Sequence, residues 1–208
     1  MGRHSQRRDE EIRQRIAQDA ARLMVEHGIK DFLTAKQKAA DSLGITDRQV
    51  MPRNTEIEEA ILEYQRIFKS HAQPQRLQAL RETAIKAMGL LKDFQPRLVG
   101  SVWRGTAGEH SDVNLHVFAD SPETVSHFLT RHKIPHEQRE KRFRTSKDNY
   151  ELFTAYSFIA GDVPVDIVVF PIDGQRQAPL SPVDGKRMER ASISDVEELL
   201  HEDEIGFL

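Results

Sequence analysis

Between Leu98 and Phe118 the chain reads Leu-Val-Gly-Ser-Val-Trp-Arg-Gly-Thr-Ala-Gly-Glu-His-Ser-Asp-Val-Asn-Leu-His-Val-Phe, a stretch that concentrates groups suited to chemistry. An apolar run delivers Gly100 and Ser101, a polar loop follows, and Asp112 and Asn114 stand two residues apart at the head of a second apolar run. Farther on, Val163-Pro-Val-Asp-Ile-Val-Val-Phe170 sets the carboxylate of Asp166 among aliphatic side chains, where an idle charge would be costly. Small residues that admit phosphate close to the backbone, together with acids at strand spacing, suit a nucleotide and a divalent metal ion. Singly these signals say little, since Gly-Ser is common and Asp-x-Asn often only caps a turn. Their joint occurrence carries the information, and one member of the acidic set is an amide.

The elements that must position these groups are legible in the periodicity. Asp112, Asn114 and His116 alternate with Val113, Leu115 and Val117, the period of a half-buried strand. From Pro96 to Pro171 the pattern predicts strands at about 97–102, 113–119, 139–145, 150–160 and 163–170, with a helix at about 122–132. Ala160-Gly161-Asp162 between two apolar runs reads as a hairpin turn. Ahead of Pro96 the spacing is helical. Ile12, Ile16, Ala20, Leu23 and Met24 form one stripe that ends at Gly28, and a shorter helix runs from about Leu33 to Leu43. Ile57, Ile61, Tyr64, Ile67 and Phe68 mark a third helix, and Leu77, Leu80, Ala84, Ala87, Met88 and Leu91 a fourth. A proline-containing loop, 175–185, and a capped helix from Ser192 to His201 complete the chain. The expected fold is α+β, with a helical region over 1–94 and a small mixed sheet with flanking helices over 95–208.

With those residues in place, the chain resembles the nucleotidyltransferase superfamily that shares its fold with DNA polymerase β. The family pattern is an apolar residue, Gly, Gly or Ser, a loop of about ten residues, then Asp, an apolar residue and Asp or Glu, with a third Asp on a later strand. Here those positions are Val99, Gly100, Ser101, the loop 102–111, Asp112-Val113-Asn114, and Asp166. The text Gly-Ser-x-x-x-Gly-Thr-Ala-x-x-x-Ser-Asp is similar to the minimal nucleotidyltransferases that accompany helical partner proteins in prokaryotes, and the resemblance covers about residues 96–171. It implies that Gly100 and Ser101 hold a triphosphate, with Arg104 as a further phosphate contact, and that Asp112, position 114 and Asp166 hold Mg²⁺ or Mn²⁺. Asp112 and Asp166 would then be the catalytic acids, and the reaction would move a nucleoside monophosphate from an NTP, ATP by default, to an acceptor the sequence does not name, releasing pyrophosphate. The departure is Asn114, which stands where the family has a metal-bridging carboxylate. An amide offers one neutral oxygen and no bridging anion, so catalysis is left open. Glu109, Asp120 and Glu151 are the acids that could compensate.

Other residues allow two readings each. His116 would be a metal ligand, a base contact or, the commoner case on a strand, a hydrogen-bonded structural group. Trp103 would stack on a base or pack on the helical half. Arg139, Lys141, Arg142, Arg144 and Lys147, with Phe143 among them, would dock a polyanion or guard an exposed strand. Residues 35–49, with Gly44 in the turn, bring a helix-turn-helix to mind, but Pro52 cuts short any recognition helix.

Bulk properties narrow the classes. Residues 1–95 hold 17 Lys/Arg against 14 Asp/Glu, and residues 96–208 hold 13 against 19, so neither half has the basic excess of a dedicated duplex-DNA binder. With no cysteine, disulfides, thiolate catalysis and Cys-based zinc sites are excluded. The lack of a long apolar stretch or signal-like start predicts a soluble, cytoplasmic chain without a membrane span. Three functions are therefore weighed. One is Mg²⁺-dependent nucleotidyl transfer. The second is a non-catalytic relative that binds a nucleotide, RNA or a protein. The third is a helix-turn-helix regulator. The N-terminal helices are expected to serve packing, a homo-oligomer or a protein partner.

Overall fold

The computed structural model describes residues 2–70 and 72–206, with the side chains of 6–70 and 72–202. The chain is α+β, N-terminal helices preceding a five-stranded mixed sheet with helices around it. It packs as two compact units. One runs to Pro74 and includes Gly108–His110 and Pro182–Asp184; the other holds Gln75–Ala107, Ser111–Ser181 and the chain from Gly185 on.

The first unit comprises α1 (Gly2–His27), α2 (Phe32–Ser42) and α3 (Asn54–Phe68). Its core is Ile16, Ala17, Ala20 and Ala21 of α1, Ala35, Ala39 and Ala40 of α2, Val50, and Ile57 and Ile61 of α3. So many alanines let helix backbones approach closely and lose little side-chain entropy on burial. Gly28, at φ 65°, ends α1 in the left-handed region where the pattern places a C-cap. Asp31 starts α2, its Oδ2 accepting from Thr34 N and Thr34 Oγ1, both at 2.7 Å. Between Gly44 and Pro52 the chain forms only a 3₁₀ turn, Arg48–Val50, too short to present the recognition helix that a helix-turn-helix places in a major groove.

The second unit is built on β1 (Arg97–Val99), β2 (Val113–Phe118), β3 (Glu137–Arg144), β4 (Tyr150–Ala160) and β5 (Val163–Phe170), in the spatial order β1-β2-β5-β4-β3. β2 and β5 pair in parallel and the other neighbours are antiparallel. This order follows from composition. β2 and β5 are nearly continuous apolar runs and take central places, buried on both faces. β3 carries four basic side chains in eight residues and lies on an edge. Gly161, at φ 68°, makes the tight β4–β5 hairpin.

One face of the sheet presents Val113, Leu115, Val117, Val163, Val165, Ile167 and Val169 to Val125 and Leu129 of α6 (Pro122–Arg131). The same core takes Leu77, Leu80, Ala84, Met88 and Leu91 from the fourth helical segment, α4 (Ala72–Leu90) and the residue after it. Packing therefore divides the chain at Pro74/Gln75, twenty residues before the change of pattern that suggests a boundary at 94/95. A helical stripe reveals that a helix has an apolar face but not which core receives it. α7 (Ile193–Gly206) opens with reciprocal capping, Ser192 N donating to Asp195 Oδ2 at 2.6 Å and Asp195 N to Ser192 Oγ at 3.3 Å. No helix among the described residues is long and apolar enough to cross a membrane.

Candidate functional site

β1 stops at Val99, three residues short of the expected strand end, because Gly100 turns the chain. Its φ of 79° and ψ of −152° fall in a region open essentially to glycine alone. The turn releases the chain into α5 (Ser101–Arg104), a single helical turn closed by Gly105, also at φ 79°. Arg104 N donates to Gly100 O at 3.1 Å, so the amides of Ser101, Val102 and Trp103 come before the first intrahelical bond. Ser101 O accepts from Thr106 N at 3.0 Å and Ala107 N at 3.2 Å, which folds the following loop back on the turn. Trp103 packs on the core of the sheet unit and donates from Nε1 to Glu189 Oε2 at 2.8 Å. Arg104 reaches the loop after β5, its Nη1 lying 3.5 Å from Ser181 Oγ.

The sheet brings the separated acidic positions together. Val99 pairs with Asn114, and Asn114 pairs directly with Asp166 across the parallel β2–β5 ladder. Asp112 precedes β2 by one residue, and its carbonyl accepts from Asn114 Nδ2 at 3.2 Å. Across β5, Asp166 pairs with Ser157 of β4. This group occupies the sheet face opposite the α4–α6 core.

Into it reaches a cation from the edge strand. Lys141 Nζ donates to Asp166 Oδ2 at 2.8 Å and lies 3.5 Å from Asn114 Oδ1. Arg139 Nη2 stands 3.8 Å from Asp166 Oδ1 and donates to Ser157 Oγ. Asn114 thus uses both ends of its amide, as donor toward Asp112 and as acceptor toward Lys141. The Asp166 side chain is 12% exposed and that of Lys141 31%, so this pair is partly shielded from water. Both cations belong to the basic stretch seen in the sequence, where the choice lay between a docking surface and a guarded edge. Neither reading places one of them on Asp166.

This donor set does not fit a two-metal centre. Position 114 supplies no bridging anion, and one of the two carboxylates is already paired with an ammonium. A divalent ion on the oxygens of Asp166 and Asn114 would have to share both with the Lys141 ammonium, which stands 2.8 and 3.5 Å from them, so the repulsion between dication and ammonium opposes joint occupancy. No group of three or more His, Cys, Asp or Glu side chains among the described residues could hold a metal ion. Two of the acids that could have compensated lie elsewhere: Glu151 accepts from Thr145 Oγ1 and Asn149 Nδ2 in the β3–β4 hairpin, and Asp120 is exposed past the far end of β2, while Glu109 is exposed in the loop three residues before Asp112.

His116, the next residue on this face, is 1% exposed. Burial holds its imidazole well below the ordinary histidine range, helped by the charges of Arg190 and Lys141, so it is neutral at physiological pH. Its Nδ1 accepts from Arg190 Nε at 3.0 Å, making it the hydrogen-bonded structural histidine of the two readings. Arg190 lies over the rings of Phe118 and Phe170, 5.0 and 4.7 Å from their centroids, and donates from Nη1 to Gly174 O at 2.7 Å and Gln175 O at 3.1 Å. Burial, with Arg97 nearby, brings its guanidinium down to about 10, still charged at neutral pH. Sequence reasoning missed Arg190. Its only signal is a lone arginine ahead of the capping serine of α7, and its partners lie on three distant segments.

Comparison with models of known protein families, and with curated proteins, gives no match to this chain. The α+β fold and the residues of the β2–β5 site therefore have to carry the functional reading.

Proposed function

We propose that the sheet unit is a nucleotidyltransferase-like module that binds a nucleotide through its phosphates, and that its acidic centre is no longer arranged for catalysis. The observation that carries the reading is the direct pairing of Asn114 with Asp166, with the Val99-Gly100-Ser101 turn delivered beside Asn114 by β1. The motif resemblance requires these positions to meet, although 52 residues separate 114 from 166 in the chain. Lys141, Arg139, Arg97 and Arg190 give the same sheet face a cationic surround, which favours a polyanionic ligand over a neutral one. ATP is the default nucleotide, and the acceptor of any transfer is unassigned.

One observation favours the alternative of Mg²⁺- or Mn²⁺-dependent nucleotidyl transfer: the carboxylates of both Asp112 and Asp166 are retained. That reading requires Lys141 to leave Asp166. In the first unit, Leu33 of α2 and Leu62, Ile67 and Phe68 of α3 are exposed apolar side chains that a protein partner or a second copy would cover. Calorimetric titration of the full chain with each of the four NTPs, with Mg²⁺ and with EDTA, tests the proposal. Saturable heat that inorganic triphosphate displaces is the expected result. Absence of heat for every NTP under both conditions, in folded protein, would sink it.

A further inference from the structure

Resting on the nucleotide-binding reading, one feature of the same site goes further. Lys141 reaches diagonally across the sheet from the edge strand to the two groups that a bridging metal would join. It donates to the Asp166 carboxylate at 2.8 Å and faces the Asn114 amide oxygen at 3.5 Å.

The identities at 114 and 141 make sense only together. A carboxylate at 114, paired directly with Asp166, would put two anions on adjacent strands with Lys141 the cation that faces both. The amide removes that excess charge, turns its NH₂ to the carbonyl of Asp112 and leaves its oxygen to Lys141. Conversely, without Lys141 the shielded Asp166 would keep only the exposed Arg139, 3.8 Å away, as a counterion.

We propose that Lys141 is a resident counter-cation that has replaced the divalent metal of this site, so that ligand phosphates are held without Mg²⁺. Lys141 and Arg139 then offer a nucleotide a cationic contact on the sheet face that carries Asn114 and Asp166. The site's affinity for phosphates depends on ionic strength and not on divalent ions.

The test uses Mn²⁺ as a spectroscopic probe, with EPR of the free aquo ion as the readout. Wild-type protein is expected to bind no more Mn²⁺ than Asp166→Asn. The double variant N114D/K141M, which restores the anion and removes the cation, is expected to bind Mn²⁺ roughly tenfold or more tightly than wild type. Binding by wild type that Asp166→Asn or Asp112→Ala removes overturns the proposal. So does a double variant, folded by Trp103 fluorescence, that binds Mn²⁺ no better than wild type. If the double variant fails to fold, the comparison of wild type with Asp166→Asn decides alone. A parallel ATP titration separates the two readings. ATP binding only with Mg²⁺ keeps the nucleotide reading and overturns the role of Lys141. No ATP binding in Mg²⁺ or EDTA ends the nucleotide reading, and the Mn²⁺ comparison still judges Lys141.

Discussion

Lys141→Met should destabilise the sheet unit more than Asp166→Asn, and the difference can be worked from exposure. At 2.8 Å the gross attraction of the pair is about 6 kcal/mol at an effective dielectric of 20, most of it offset by desolvation. Exposed ion pairs contribute about 0–1 kcal/mol net, whereas breaking a buried one costs about 3–5. This pair lies between those limits, and its partners are unequal. Removing Lys141 strands a carboxylate whose side chain is 12% exposed, relieved only in part by Arg139; about 2 kcal/mol is expected. Removing the Asp166 charge leaves an ammonium on a flexible stem, 31% exposed, which can turn to water, so about 1 kcal/mol is expected. With about 1.5 kcal/mol for the double variant K141M/D166N, the coupling energy is about 1.5 kcal/mol. Urea unfolding followed by Trp103 fluorescence is the assay, because the one tryptophan lies in the sheet unit and reports its unfolding selectively. A K141M variant within about 0.5 kcal/mol of wild type, or a D166N variant costing more than K141M, would refute the reasoning.

Three further outcomes follow from the structure. Gly100→Ala meets no atom within 4 Å, so its cost is backbone strain alone at φ 79°; a loss of about 1–3 kcal/mol is expected in the same unfolding assay, and an unchanged midpoint would contradict the turn. His116 has a depressed folded-state pKa, so its contribution is fully present above about pH 6.5 and is lost as pH falls from there toward the folded value, with a slope approaching about 1.4 kcal/mol per pH unit. His116→Gln keeps an acceptor for Arg190 and should flatten that limb of the stability–pH curve; an unaltered slope would mean His116 is not the group responsible. A fragment of residues 95–208 should fail to fold, because it lacks Leu77, Leu80, Met88 and Leu91, whose burial supplies about 6–12 kcal/mol, comparable to the whole stability of a domain. A cooperative near-UV transition from that fragment would show the core to be placed wrongly.

Particular residues explain what the sequence made legible. β2 and β5 were readable because each is a strong apolar run, and the alternation of Asp112, Asn114 and His116 already put the last two on one face of β2. Gly100 was readable as half of a Gly-Ser pair that admits phosphate, but the expected strand ran through it to 102, since a one-turn helix has too few residues to show a period. The affiliation of α4 with the sheet was not legible, because periodicity fixes a face and not a partner. Lys141 was visible only as one charge in a basic run. Its contact with Asp166 spans 25 residues and depends on β4 and β5 forming a hairpin that places β3 on the edge. Arg190 was invisible for the same reason, its partners being the side chain of His116 and the carbonyls of Gly174 and Gln175.

Hydrogen–deuterium exchange of the full chain with and without ATP, in EDTA, tests the central claim most directly. The account predicts added protection in peptides covering 98–116 and 137–144, with the first unit's helices unchanged. Protection confined to residues 9–68, or none at an ATP concentration that saturates calorimetric binding, would contradict it.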